Sequence, residues 1–189
     1  MRYEFEDIRT YKAILEAIAH GKTKINEIKD YCRMQRTDVS PYLSKLINTE
    51  FVLREIPITE SSISKMGRYY IKDQFVSFWF RYISPNISNI ESGIYDIREI
   101  KNDYQHYLGF VFEKVCKQFL VTQIKNKNID YNKIGKWWHN EQEIDIIALN
   151  ESKKEILLAE CKWQQKVNAE EIIAKLQEKA KAVRWHNQE

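Results

Sequence analysis

Apolar residues recur every three or four positions at the start of the chain. Ile14, Leu15 and Ile18 form one stripe over residues 11–20, and Gly21 supplies a helix stop. The same period returns, shorter, over residues 25–31. Thr37, Asp38 and Ser40 are capping residue types, so a third helix is expected to run through Leu46 and Ile47. Val39, Leu43 and Leu46 would be its inward positions, with Pro41 tolerated only near the first turn. The period then changes from helical to extended. Residues 51–57 predict a strand, a serine-rich loop follows, and residues 67–71 predict the returning strand.

Helix, helix, helix, hairpin is the order of a winged helix-turn-helix, in which the third helix enters a DNA groove and the hairpin lies along the backbone. Arg36, Ser40, Tyr42, Ser44 and Lys45 on or beside that helix, with Arg54, Lys65 and Arg68 around the hairpin, are the candidate DNA-binding residues. Lys22, Lys24 and Arg33 add positive charge nearby, enough to neutralise several phosphates. The competing reading of the same face is a protein-docking surface.

From residue 72 to 92 the chain turns aromatic, with Phe75, Phe78, Trp79, Phe80 and Tyr82 before Pro85. That spacing predicts a buried helix, and exposed rings would instead be stacking platforms for single-stranded bases. Residues 87–107 read as a further helical connector. Residues 109–120 predict an amphipathic helix that buries Phe112, Val115, Cys116 and Phe119 and sets Glu113 beside them.

Composition narrows the function classes. With 43% apolar and 30% charged residues the chain is globular, and a net charge of +3 is too small for a polybasic binder, so any nucleic-acid contact is a local patch. Cys32, Cys116 and Cys161 are too scattered for a disulfide framework or a zinc finger. That cysteine usage makes a reducing cytoplasm the expected setting, and the charged start and lack of a long apolar run predict a soluble, untargeted protein that does not enter the membrane. Five glycines form no phosphate-binding loop. No GxSxG occurs, and His20, His106, His139 and His186 have no nucleophile at a defensible spacing, which argues against a small metabolic hydrolase.

The chemistry concentrates in the last eighty residues. Residues 143–149 alternate as a strand that puts Glu143 and Asp145 on one face with Ile147, although Asp is disfavoured in strands. Residues 156–163 predict the next strand, apolar until Glu160 and Lys162. Asp145 and the Glu160-x-Lys162 pair would then meet at one end of a sheet. Two carboxylates hold a hard divalent cation such as Mg2+, a lysine beside it orients water or offsets charge on phosphorus, and a helical glutamate completes the shell. That combination points to phosphodiester hydrolysis. The alternative is a structural ion-pair network. Trp137 and Trp138 are expected to cover the sheet edge, and His139 to lie in an exposed loop.

With Asp145 as the D, Glu160 and Lys162 as the ExK and Glu113 as the helix acid, this segment resembles the PD-(D/E)XK nuclease-like superfamily. The winged-helix order, residues 67–75, Phe78, Trp79, Phe80 and Arg81, then Trp137, Trp138, residues 143–146 and 160–163, is similar to the carboxy-terminal region of prokaryotic, chiefly archaeal, AAA-type DEXX-box ATPases. The resemblance implies an α/β (α+β) chain, with an amino-terminal winged helix-turn-helix followed by a restriction-endonuclease-like domain. The expected divisions are a DNA-binding-like domain over 1–72, a helical connector over 73–104 and a nuclease-like domain over 105–189. The helix at 168–183 would be its last element, where such folds add a further strand, so the domain is expected to be cut short. Relatives of this kind carry an ATPase domain with a phosphate-binding loop, which this chain lacks, so ATPase activity is not expected. The resemblance implies Mg2+ or Mn2+ bound by Glu113, Asp145 and Glu160, catalysis by these with Lys162, DNA as substrate, and an AAA-type ATPase domain as a further partner. A homodimer is an arrangement that helix-turn-helix modules allow. A non-catalytic DNA-binding or ATPase-docking module is the competing reading.

Overall fold

The computed structural model describes residues 2–34 and 39–186 and divides the chain into two compact units. One comprises Met1–Glu55 with Met66–Ile100, the other Ile56–Lys65 with Lys101–Glu189. The architecture is mixed α/β, with one two-stranded and one three-stranded sheet.

The first unit opens with α1 (Arg2–Ala19), α2 (Ile25–Tyr31) and α3 (Ser40–Asn48), followed by β1 (Val52–Glu55) and β2 (Arg68–Ile71), which pair antiparallel. Helix α1 begins upstream of the periodic stretch. Helix α2 starts where it does because the Glu27 carboxylate accepts the Thr23 and Lys24 N–H groups, each at 3.1 Å. The expected stripe residues Ile14, Leu15, Ile18, Val39, Leu43 and Leu46 meet Ile28, Val52 and Ile71 in one core. Pro41 lies in the first turn of α3, while the expected caps Thr37 and Asp38 fall outside the described residues.

The aromatic run departs from the single buried helix expected of it. Helix α4 (Gln74–Phe78) starts on Asp73, whose Oδ1 accepts the Val76 N–H at 2.9 Å, and gives way to one wider π turn over Trp79–Ile83. A 3-10 turn over Ser84–Asn86 and α5 (Ile87–Glu91) follow. The widened turn shifts the helical phase, so Tyr82 is buried while Phe75 is 70% exposed. Trp79 and Phe80 line an open apolar hollow of about 560 Å³ together with Ile8, Leu15, Leu46 and Phe51. The turn is fastened to α1: Arg81 Nη1 donates to the Ala19 carbonyl at 2.5 Å and Ser84 Oγ to Glu16 at 2.8 Å. A cation at the carboxyl end of α1 is where the helix dipole favours one. Residues 74–100, expected as the greater part of a separate connector, thus group with the first unit.

The second unit contains α6 (Lys101–Lys125), β3 (Lys133–His139), β4 (Gln142–Asn150), β5 (Glu155–Ala159) and α7 (Ala169–Ala180). The sheet is antiparallel in the order β3-β4-β5. Central strand β4 buries Ile144, Ile146, Ile147, Ala148 and Leu149, with both α6 and α7 packed on it. Ile58, from the segment grouped with this unit, joins the core of Trp137, Ile144, Ile147, Leu149 and Val183 and donates its N–H to the Lys136 carbonyl at 2.8 Å.

Three expectations are corrected here. Helix α6 begins at Lys101, and Val115 and Phe119 are exposed rather than buried, because apolar residues surround this helix and leave periodicity no single face to choose. Strand β5 ends at Ala159, so Glu160 to Trp163 lie beyond it. Strand β4 does not alternate through Asp145. Gly135 pairs with Ile147 but Trp137 with Ile144, so Lys136 alone opposes Asp145 and Ile146. This β-bulge places Ile147 with Ile144 in the core and separates it from the face of Asp145.

Candidate functional site

Asp145 and Ile146 form the bulge on β4, and bulges re-aim side chains at the ends of sheets. Asp145 Oδ2 accepts the backbone N–H of Cys161 at 2.8 Å, which fastens the strand to the segment after β5. Burial pushes the Asp145 carboxyl up to about 6, and the nearby charges of Glu113 and Glu160 push the same way, against the Cys161 N–H and Lys162.

The Glu160 side chain is 5% exposed. Its Oε2 accepts from Lys162 Nζ at 2.8 Å and its Oε1 from Lys179 Nζ on α7. Burial alone would favour the neutral acid, but the hydrogen bonds and charges of the two lysines outweigh it and hold the carboxyl below its ordinary range. For Lys162, burial opposes the ammonium and is outweighed by Glu160, Asp145 and Glu113, so its pKa lies above the ordinary lysine value. Lys162 is therefore a cation in this site.

Glu113 enters from α6. Its Oε2 accepts from Lys136 Nζ, which also lies 3.5 Å from Glu143; the side chains of Lys136 and Glu113 are 15% and 18% exposed. The structure therefore gathers Glu113, Asp145, Glu160 and Lys162 into one cluster, with Glu143 attached through Lys136. Sequence reasoning passed over two members, Lys136 and Lys179. For Lys136 the signal was its place next to Trp137 and Trp138 on a strand; for Lys179 no local signal existed.

The segment carrying Glu160 and Lys162 is held from its other end. Trp163 Nε1 donates to Gln105 Oε1 at 3.0 Å, and its ring lies 5.4 Å from that of Phe112. Trp137 and Trp138 are buried in the sheet, and His139 is exposed where β3 ends. Cys161 is half-buried. Burial pushes its thiol well above the ordinary range, assisted by the Cys116 thiol and the charges of Asp145 and Glu113.

Asp145, Glu160 and Glu113 offer hard oxygen donors, and burial, with the charges of Glu113 and Glu160 adding to it, raises the Asp145 carboxyl, which a divalent cation would counter. In donor chemistry the residues fit Mg2+ or Mn2+. Among the described residues, however, no three His, Cys, Asp or Glu side chains are gathered as a ready metal nest. Lysines take one oxygen of Glu113 and both of Glu160 instead.

In the first unit, Ser44, Lys45 and Arg54 are exposed and Ser40 and Arg68 half-buried. Tyr42 is half-buried, its ring edge-on to Tyr11 at 5.2 Å, and the Lys45 ammonium lies 5.7 Å from the centre of the same Tyr11 ring. Arg54 crosses Gly67, where a Cβ would fall 2.3 Å from the guanidinium Nε. Arg36 lies outside the described residues, and Lys65 belongs to the segment that groups with the second unit.

Residues 79–173 match the family described as archaea bacterial proteins of unknown function, DUF234, and the chain belongs to that family. The matched stretch carries Glu113, Lys136, Asp145, Glu160 and Lys162. An uncharacterized protein of Methanocaldococcus jannaschii is 56% identical over 166 residues, which cover 87% of this chain and 38% of that relative. The chain thus spans well under half of the relative's length. No solved structure matches. Among the described residues no helix is long and apolar enough to cross a membrane.

Proposed function

We propose that the second unit is a PD-(D/E)XK nuclease-like domain that hydrolyses phosphodiester bonds of DNA with Mg2+ or Mn2+, and that the first is a winged helix-turn-helix that contacts the DNA. The carrying observation is the convergence of Asp145, Glu160, Lys162 and Glu113 where β5 ends beside β4, with Asp145 re-aimed by a bulge and tied to the Cys161 N–H.

Asp145, Glu160 and Glu113 would hold the cation, which when bound supplies positive charge for phosphate oxygens and acidifies water. Lys162, kept charged by its acidic neighbours, steadies the charge that builds on the phosphate as water oxygen attacks phosphorus and one P–O bond breaks. The leaving alcohol takes up a proton. Ser44, Lys45 and Arg54 are the exposed members of the DNA face, and Tyr42 acts through its contact with Tyr11.

A second reading is favoured by a specific observation: lysines already satisfy Glu113 and Glu160. On that reading the nuclease fold is degenerate and the chain is a non-catalytic module that binds DNA or docks an AAA-type ATPase. The test is cation-dependent cleavage of plasmid, linear and single-stranded DNA by the purified chain, with gel shift in parallel. Binding without cutting selects the second reading.

A further inference from the structure

Both oxygens of the Glu160 carboxylate carry an ammonium, Lys162 on one and Lys179 on the other. Also near Asp145, Glu113 accepts from Lys136, which reaches Glu143 as well. Four carboxylates thus face three ammonium groups in a half-buried cluster. Lys162 belongs to the ExK pair, but Lys136 and Lys179 come from β3 and α7 and have no role in phosphodiester chemistry as set out above.

A buried carboxylate without a counter-charge is strongly destabilising, so a cation-free site needs internal cations to stay folded. The same ammonium groups occupy the oxygens that a divalent cation would ligate, and they repel it at short range. We infer that Lys136 and Lys179 are positioning residues that stand in for the divalent cation, pairing with Glu113 and Glu160 until cation entry displaces them. They set the cation affinity of the site, weakening it in exchange for a folded cation-free state. The inference rests on the proposed metal site and names its internal competitor.

The experiment is Mn2+ binding to the full chain by calorimetry, with thermal melting with and without Mn2+, for wild type, Lys179→Met, Lys136→Met, Lys179→Arg and Asp145→Ala. The expected result for each methionine variant is Mn2+ affinity higher by about tenfold, the scale of one close charge pair. Its cation-free melting point falls, and the rise in melting point with Mn2+ exceeds that of wild type. Lys179→Arg restores wild-type affinity, which separates charge competition from packing. Lys179→Gln, which keeps an N–H donor for Glu160, takes the place of a methionine variant that fails to melt cooperatively.

If wild-type binding is lost in Asp145→Ala while the lysine variants bind Mn2+ no tighter than wild type, the inference fails and the metal site stands. If neither wild type nor any variant shows Asp145-dependent binding, both fail. Binding that appears only in the lysine variants and disappears when Asp145→Ala is added supports the inference.

Discussion

Lys136 on β3 stands opposite both Asp145 and Ile146 on β4, one residue against two. The extra residue reverses the alternation of β4, so Ile144 and Ile147 enter the core while Asp145 turns toward Glu113 and Glu160. The Lys136 carbonyl is fixed by Ile58 and its ammonium by Glu113, so the position opposite the bulge is anchored at both ends.

Core strand β4 carries the site, so its packing has a measurable weight. Ile147 is fully buried in the second unit's core. Ile147→Ala is expected to lower unfolding free energy by about 2–4 kcal/mol, read by denaturant melts. Gly135, its partner on β3, has Ile58 only 3.2 Å from where a Cβ would stand, so Gly135→Val is expected to displace Ile58 and cost about 1–3 kcal/mol.

The raised carboxyl of Asp145 predicts an inverted pH dependence. An acid whose folded pKa, about 6, exceeds its unfolded value binds its proton more tightly when folded, so the contribution of Asp145 to stability falls as pH rises from about 4 to 6 and then levels, opposite in sign to that of the lowered Glu160. Asp145→Asn keeps an oxygen acceptor for the Cys161 N–H and removes the charge. Without added cation it is expected to raise stability at pH 7.5 by about 1 kcal/mol, allowing for solvent screening, and to flatten that slope. Thermal melts across the pH range check it. A stability difference between Asp145→Asn and wild type that shrinks as pH rises from about 4 to 6 contradicts the assigned environment.

Burial pushes the Cys32 thiol up to about 11 and the Cys161 thiol higher still. Because the thiolate is the reactive species, iodoacetamide at pH 8 is expected to alkylate both at least tenfold more slowly in the folded chain than in denaturant. Site-resolved mass spectrometry reads the rates, and equal rates in the two states would falsify the burial of these residues.

Much of this arrangement is legible in the sequence where local rules decide. Helix α2 falls on the expected residues, and Val39, Leu43 and Leu46 take the inward positions their spacing demands. Asp145, Glu160 and Lys162 lie together, although Glu160 and Lys162 sit beyond the end of β5 rather than on it. What could not be read depends on tertiary contact. Helix α6 is apolar on several sides, so its spacing does not say that Val115 and Phe119 remain exposed. The aromatic run is split by a π turn that Arg81 and Ser84 tie to α1 through contacts distant in sequence. Nothing local foretells that Lys179 reaches Glu160 across the chain, or that one bulged residue decides which way Asp145 faces.

The most direct measurement is DNA cleavage by the full chain in Mg2+ and in Mn2+, with Asp145→Ala and Lys162→Ala purified alongside and chelator as the blank. Cation-dependent cutting is predicted, with each variant at least about a hundredfold slower, the scale of losing one charge-stabilising group. DNA binding that survives in the variants would confirm that the two units divide recognition from chemistry. No cutting by the wild type under any cation, or cutting untouched by either substitution, contradicts the account.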